Sequence, residues 1–197
     1  MSNKPFSQAC ENNKDPILAV LLRHFQQVLH VLEIGSGTGQ HAVHFSGAMP
    51  HLIWQTSDRE DYLPGINLWI TEYPHTNLRP PQVLDVTQTH WPTDFDAVFS
   101  ANTAHIMSWP SARRMIQQVG QRLPPAGLFA LYGPFNYQGR YTSDSNAQFD
   151  QHLKAVNPEQ GIRDFEAVNE TAETAGLMLL EDNAMPANNR LIIWRKQ

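Results

Sequence analysis

Hydrophobic positions along the chain fall into two alternating spacings. Short, nearly continuous apolar runs stand at 28–34 (VLHVLEI), 51–57 (HLIWQTS), 81–86 (PQVLDV), 95–101 (FDAVFSA) and 127–132 (GLFALY). Their length and β-branched content predict strands buried on both faces of a parallel sheet. Between them lie stretches with helical spacing: 38–48, 61–72 with Leu63, Ile66, Trp69 and Ile70 on one side, and 110–123 with Pro110 in its first turn. Before the first strand, Asp15-Pro16 followed by ILAVLLRHFQQVL predicts a helix with Asp15 as N-cap and Pro16 in the first turn. Strands alternating with helices predict an α/β domain with right-handed crossovers.

The last third breaks this rhythm. The stretch 133–164 is rich in Gly, Asn, Ser and Asp and is expected to be a lid or substrate insertion, with a helix near 146–156. A further helix spans 164–175, closed by Gly176. Two last strands, 177–180 and 191–194, flank the loop EDNAMPANNR; so short a link requires an antiparallel pair.

Composition narrows the classes. With 197 residues and 41% hydrophobic content, the chain is expected to form one domain over 1–197, with 1–27 as an N-terminal cap segment and helix. A net charge of −5 without a Lys/Arg run argues against nucleic acid and anionic membranes as partners. No apolar run reaches the roughly 20 residues of a membrane span. The start, MSNKPFSQAC, lacks a signal-peptide core, and Cys10 is the single cysteine, so a cytoplasmic protein is expected, as monomer or homodimer. His41 and His44 sit three apart with no third ligand at matching spacing; they read as surface or boundary residues, and no metal site is expected. The polarity is unusually uncharged: 13 Asn and 15 Gln stand against 33 charged residues, and many of these amides fall in loops assigned to a ligand.

The strongest motif is VLEIGSGTGQ, 31–40. A strand ending in Gly-x-Gly-x-Gly before a helix brings bare backbone and amide N–H groups to a ligand. No lysine follows, as a P-loop requires, and the spacing differs from the G-x-G-x-x-G of dinucleotide sites. Glu33, two residues before Gly35, would repel a pyrophosphate but suits a cationic ligand. The loop resembles motif I of class I S-adenosylmethionine (SAM) methyltransferases. That resemblance implies a Rossmann-like, seven-stranded, mostly parallel sheet with an antiparallel last strand and helices on both faces. It also implies SAM as cofactor, with S-adenosylhomocysteine (SAH) as product. Glu33, Gly35, Ser36, Gly37, Thr38 and Gly39 would hold the methionine end, and Asp58, at the next strand end, the ribose. Asp85 and Val86 would meet the adenine, and Asn102 would hold the cofactor or serve only a turn.

More narrowly, the chain resembles the domain-of-unknown-function family that includes methyltransferase-like protein 26. The resemblance rests on ACENNKDPIL (9–18), VLEIGSGTGQHA (31–42), WQTSD (54–58), ANTAHIMSW (101–109), LYGPFNYQG (131–139), TSDSNAQFD (142–150), GIRD (161–164) and MPANN (185–189). One departure is Asn12-Asn13, where an arginine is expected at one position.

The acceptor would face the ends of the fourth and fifth strands. No N/D-P-P-Y/F tetrad follows the fourth, which argues against nucleobase or glutamine amino groups. His105 reads as a general base or acceptor-positioning donor, or as a loop histidine bonded to backbone; Tyr132 is the second catalytic candidate. Phe135 would wall the pocket, Asn146 and Asp150 would read a polar acceptor, and Arg163 would pair with a carboxylate or with a neighbouring acid. Ser143 and Asp144 read as acceptor contacts or as caps of the helix near 146. Asn12 and Lys14, placed before the first helix, and Asn188 and Asn189, in the last hairpin, complete the substrate candidates. The leading expectation is an enzyme that methylates a small molecule. A catalytically silent SAM- or SAH-binding subunit is the alternative, and a nucleotide-binding oxidoreductase fits the glycine spacing less well.

Overall fold

The structure is a computed structural model that describes residues 4–197; the first three residues of the expected 1–27 segment lie outside it. The chain divides into two compact units, one ending at Ser100 and the other beginning at Ala101.

The first unit carries α1 (Gln8–His24), β1 (His30–Ile34), α2 (Gln40–Ala48), β2 (Ile53–Asp58), α3 (Leu63–Glu72, led in by a 3-10 turn), β3 (Leu78–Val83) and β4 (Ala97–Ala101). Its strands run parallel in the order β3-β2-β1-β4, with Val31 opposite both Trp54 and Ala97. Phe45, Trp54 and Phe99 pack ring against ring within 5.4–5.7 Å and form the centre of this core. At the edge, β3 contains Pro80-Pro81, two residues with no N–H to offer a ladder.

Two expectations change here. The first helix starts at Gln8, capped by Ser7, whose side chain accepts from Cys10 N, and Pro16 lies inside it. Burial of Asn13, Ile17, Val20 and Leu21 holds the helix through a residue that locally costs about 3 kcal/mol. Asn12 and Lys14 are therefore helical residues, not part of a leading segment. His41 is also not at the surface: it is 5% exposed, stacked on Phe45, and bonded through Nε2 to Asn13 Oδ1 at 2.7 Å.

The second unit carries α4 (Trp109–Arg122), β5 (Leu128–Asn136), α5 (Asp144–Val156), β6 (Arg163–Asp164), α6 (Phe165–Thr174), β7 (Leu177–Met185) and β8 (Asn189–Lys196). β8 runs antiparallel to both β5 and β7, so the expected terminal hairpin is present. With the two-residue β6 set aside, the two units together supply the seven long strands expected. β5 continues four residues past Tyr132, because β8 pairs with it as far as Pro134 and β6 pairs with Phe135 and Asn136. The stretch read as a loop, 181–190, is mostly strand. Asp182 accepts from Tyr137 Oη and Arg190 Nε, both at 2.7 Å, and Asn183 donates to Leu191 O. These bonds let polar residues extend the ladder.

α4 meets α6 closely at Gly120. A Cβ there would stand 2.5 Å from both Cβ and O of Ala175. Gly→Ala inside a helix ordinarily stabilises by about 1 kcal/mol, but overpacking costs ~1–3 kcal/mol and involves backbone here. Gly120→Ala is therefore expected to lower the melting temperature by about 2–4 °C rather than raise it, as a thermal scan would show.

Candidate functional site

In the first unit, β1 ends in a loop whose three glycines all have positive φ: Gly35 (73°), Gly37 (58°) and Gly39 (92°). The amides of Gly35 and Ser36 both donate to Ser57 O at 3.0 Å, and Gly37 N donates to Asp58 Oδ2 at 2.8 Å. The loop is thus fastened to the end of β2 along its length. A Cβ on Gly39 would press to 3.2 Å from Ile66 Cα of α3, whereas one on Gly37 would meet no atom within 4 Å. Gly37 stands at the open side of the loop.

Glu33 lies beneath, 2% exposed, its Oε2 accepting from Ser36 Oγ (2.8 Å) and Trp54 Nε1 (3.0 Å). Burial pushes its pKa up to about 7, Trp54 and Ser36 pull against that, and the Asp58 charge adds to the rise. Asp58 is also raised by burial, opposed by the amides of Gly37 and Arg59. Asp85 lies two residues beyond β3 rather than at its tip; its Oδ1 accepts from Thr87 N and Oγ1, a local turn, and Val86 beside it is buried. The expected strand 81–86 is displaced because β3 pairs with β2 only as far as Val83.

Three contributors escaped the sequence reading. Trp54 is legible in retrospect, since parallel register sets Glu33 opposite Thr56 and so puts Trp54 on the same face. Ser57 offers its main-chain carbonyl, which no side-chain motif announces. Gln40 latches α1 to the loop: its Oε1 accepts from Ser7 N (2.6 Å) and Thr38 Oγ1, and its Nε2 donates to Glu11. Lys14 is paired with Glu11, and the exposed Asn12 with Gln8.

Past β4, the second unit opens on a tight turn. Asn102, at φ 59°, donates its N–H to Tyr132 O, and both Ile106 and Met107 amides return to Thr103 O. His105 sits in this turn, 6% exposed, edge-on to Phe149 at 5.4 Å and 3.5 Å from where a Gly133 Cβ would stand. Burial, then the Arg163 charge, lowers its pKa to about 4, so the imidazole is neutral near pH 7. Tyr132 and Phe135 are buried in β5.

The remaining acceptor candidates carry internal bonds. Asp150, 1% exposed, accepts from Tyr141, Lys154 and Ile162 N; burial works to raise its pKa, and these donors outweigh it. Asn146 Nδ2 donates to Thr142 Oγ1 and Asn188 O, while Asn189 Nδ2 donates to Pro186 O. Ser143 caps α5, and Asp144 opens its first turn. Arg163 pairs with neither neighbouring acid: its guanidinium donates to the carbonyls of Ala104, Met107 and Glu159.

A family described as a protein of unknown function, DUF938, matches residues 4–196. The chain belongs to the DUF938 family. Solved structures extend the comparison to fold. An O-methyltransferase family protein from Burkholderia thailandensis superposes with TM-score 0.83 at 16% identity, over 93% of this chain and 56% of its own. Human N-acetylserotonin methyltransferase in complex with SAM gives 0.83 at 14%, over 96% and 53%. PigF with SAH gives 0.79 at 15%, over 92% and 55%. At these identities the likeness shows the fold: this DUF938 chain has the α/β class I methyltransferase fold, and it spans about half the length of the solved proteins it matches.

The raised Glu33 pKa sets a stability signature. Between about pH 4.5 and 7 the folded chain keeps a proton that the unfolded chain has released, so this group's stabilisation falls as pH rises and levels off above 7. His41 and His105, held neutral, act in the opposite sense below pH 6.5. The difference between the wild type and Glu33→Gln isolates the carboxyl: denaturant midpoints should show the wild type losing about 3 kcal/mol relative to the variant across that window.

Proposed function

We propose that this DUF938 protein is a SAM-dependent methyltransferase that acts on a small-molecule acceptor in the cytoplasm, and that methyltransferase-like protein 26 is a relative. The observation that carries this reading is the loop over Glu33. Its open Gly37 face is bordered by the carboxyls of Glu33 and Asp58, which suits a nucleoside bearing a sulfonium and an ammonium group. Gly37, with open space where a Cβ would stand, fits the close approach of such a ligand. The cofactor carried by the solved relatives points the same way.

When bound, SAM supplies an electrophilic methyl on sulfonium. Glu33 would orient the ammonium, the glycine loop with its open Gly37 side would hold the methionine end, and Asp58 would accept the ribose hydroxyls. Asp85, Val86 and Asn102 are the further cofactor contacts of this proposal. His105, neutral near pH 7, would accept the proton of an acceptor hydroxyl or position it. Tyr132 and Phe135 would line the acceptor's apolar surroundings. The net charge of −5 favours a small acceptor over a polyanion.

Calorimetry with SAM and SAH, with NAD as control, tests the cofactor. Binding of both sulfur ligands and not NAD is expected, with Asp58→Ala weakening it at least about tenfold, the size of a lost charge-assisted hydrogen-bond pair. Absence of binding overturns the reading. Incubation with methyl-labelled SAM and a metabolite extract should then label a small product. Label confined to protein or RNA would overturn the acceptor class, and no transfer despite binding would leave a silent cofactor-binding protein. His105→Ala is expected to slow transfer ~10²–10⁴-fold with SAM binding intact.

A further inference from the structure

The second unit contains a side chain whose bonding the acceptor reading leaves unexplained. Arg163 opens the short strand β6, opposite Phe135 of β5. Its Nε donates to Ala104 O at 3.1 Å, and one terminal nitrogen donates to Met107 O and, at 2.9 Å, to Glu159 O. Ala104 and Met107 flank His105 and Ile106, so one guanidinium grips both ends of the turn that carries the imidazole. A rigid planar fork can do this; a lysine ammonium, one point charge on a flexible stem, cannot span both carbonyls with the same directions.

The grip is supported from behind. Gly161 N donates to His105 O at 2.9 Å, which ties the imidazole's own backbone to the segment leading into Arg163. That segment is fixed in turn by Asp150, whose Oδ1 accepts from Ile162 N at 2.6 Å. Gly161 has φ 152°, and a Cβ there would stand 2.9 Å from the same Asp150 oxygen. The buried carboxylate on α5, the Gly161–Arg163 segment and the turn 104–107 form one hydrogen-bonded chain ending at His105.

We propose that Arg163 is a positioning residue for His105: its guanidinium fixes the turn that carries the imidazole by gripping the main-chain carbonyls of Ala104 and Met107. The proposal rests on reading His105 as the group that meets the acceptor. The groups around the ring leave this role to Arg163. From α5 it meets the Phe149 ring, with Asp150 one residue on and already engaged by Lys154 and Tyr141. From β5 it meets Gly133, which has no side chain. From β6 comes the Arg163 charge, which works with burial to depress the imidazole's proton affinity.

The test is an NMR titration of the His105 ring in the intact chain, assigned by its loss in His105→Ala. In the wild type the ring should stay neutral down to about pH 4. Arg163→Gln keeps a donor for the carbonyls but removes the charge, and should raise the midpoint by about one unit. Arg163→Lys keeps the charge but not the fork: the midpoint should stay low while the amide shifts of residues 104–107 move. Equal midpoints in wild type and Arg163→Gln would overturn the charge role, and unmoved turn amides in Arg163→Lys would overturn the geometric one. A matching rise in both variants would mean local loosening and overturn the charge role as well; if Arg163→Gln does not fold, a raised midpoint in Arg163→Lys overturns it in the same way. SAM calorimetry on the same samples keeps this separate from the cofactor reading, since Arg163 touches none of the residues assigned to the cofactor loop.

Discussion

A buried carboxyl group organises the first unit. Glu33 ends a strand, anchors a glycine loop through Ser36 and receives the indole of Trp54, so one buried oxygen ties β1, its loop and β2 together. Desolvation makes such a group costly unless its hydrogen bonds are supplied from fixed positions. The parallel register supplies one of them, since Trp54 shares a face with Glu33, and the aromatic core formed with Phe45 and Phe99 holds the indole in place. Once the loop is tethered there and to Ser57, its glycines need only left-handed backbone, and Gly39 can pass close to α3. The loop's shape follows from where the carboxyl had to be satisfied.

The second unit reaches rigidity by a different device. Its polar side chains bind main-chain atoms more than one another. Arg163 holds carbonyls, Asp150 holds an amide, Asn146 and Asn183 hold carbonyls of the last hairpin, and Asp182 joins Tyr137 to Arg190. The surplus of Asn and Gln takes on a meaning here that composition alone did not give. Read as ligand-facing polarity, it proves in large part to be internal carpentry. Asn13 pairs with His41, Gln40 latches α1, and Asn77 donates to the carbonyls of Ser46, Met49 and Leu52. Amides suit this task because they satisfy buried backbone groups without the desolvation cost of a charge.

What was legible in the sequence, and what was not, follows the same division. The parallel strands and the glycine loop were readable because burial on both faces leaves an unbroken apolar run that stops at glycine. The terminal hairpin was readable because its short link left one pairing direction. The start of α1 was misplaced because Pro16 carries a strong local signal that tertiary burial overrides, while the cap at Ser7 is a weak one. β5 and the final strands were cut short because Gly-Pro-Phe and EDNAMPANNR look like loops, and only their partners across the sheet make them strands. His41 looked like a surface residue because its partner, Asn13, is 28 residues away in sequence. In the candidate site, the acids and glycines were nameable from the motif, whereas carbonyl acceptors such as Ser57 carry no residue signature.

Edge strand β3 has a consequence for the molecule among its neighbours. Every open sheet invites a stranger's backbone to continue the ladder, and a crowded cell supplies many. With Pro80-Pro81 in mid-strand, the backbone there has no hydrogen to donate at either residue, and Arg79 beside them is exposed and charged. An incoming strand would find an interrupted template. The same dipeptide that gives the edge a poor sheet-forming sequence thereby acts as a guard against self-templated polymerisation, a colloidal property written into an edge strand.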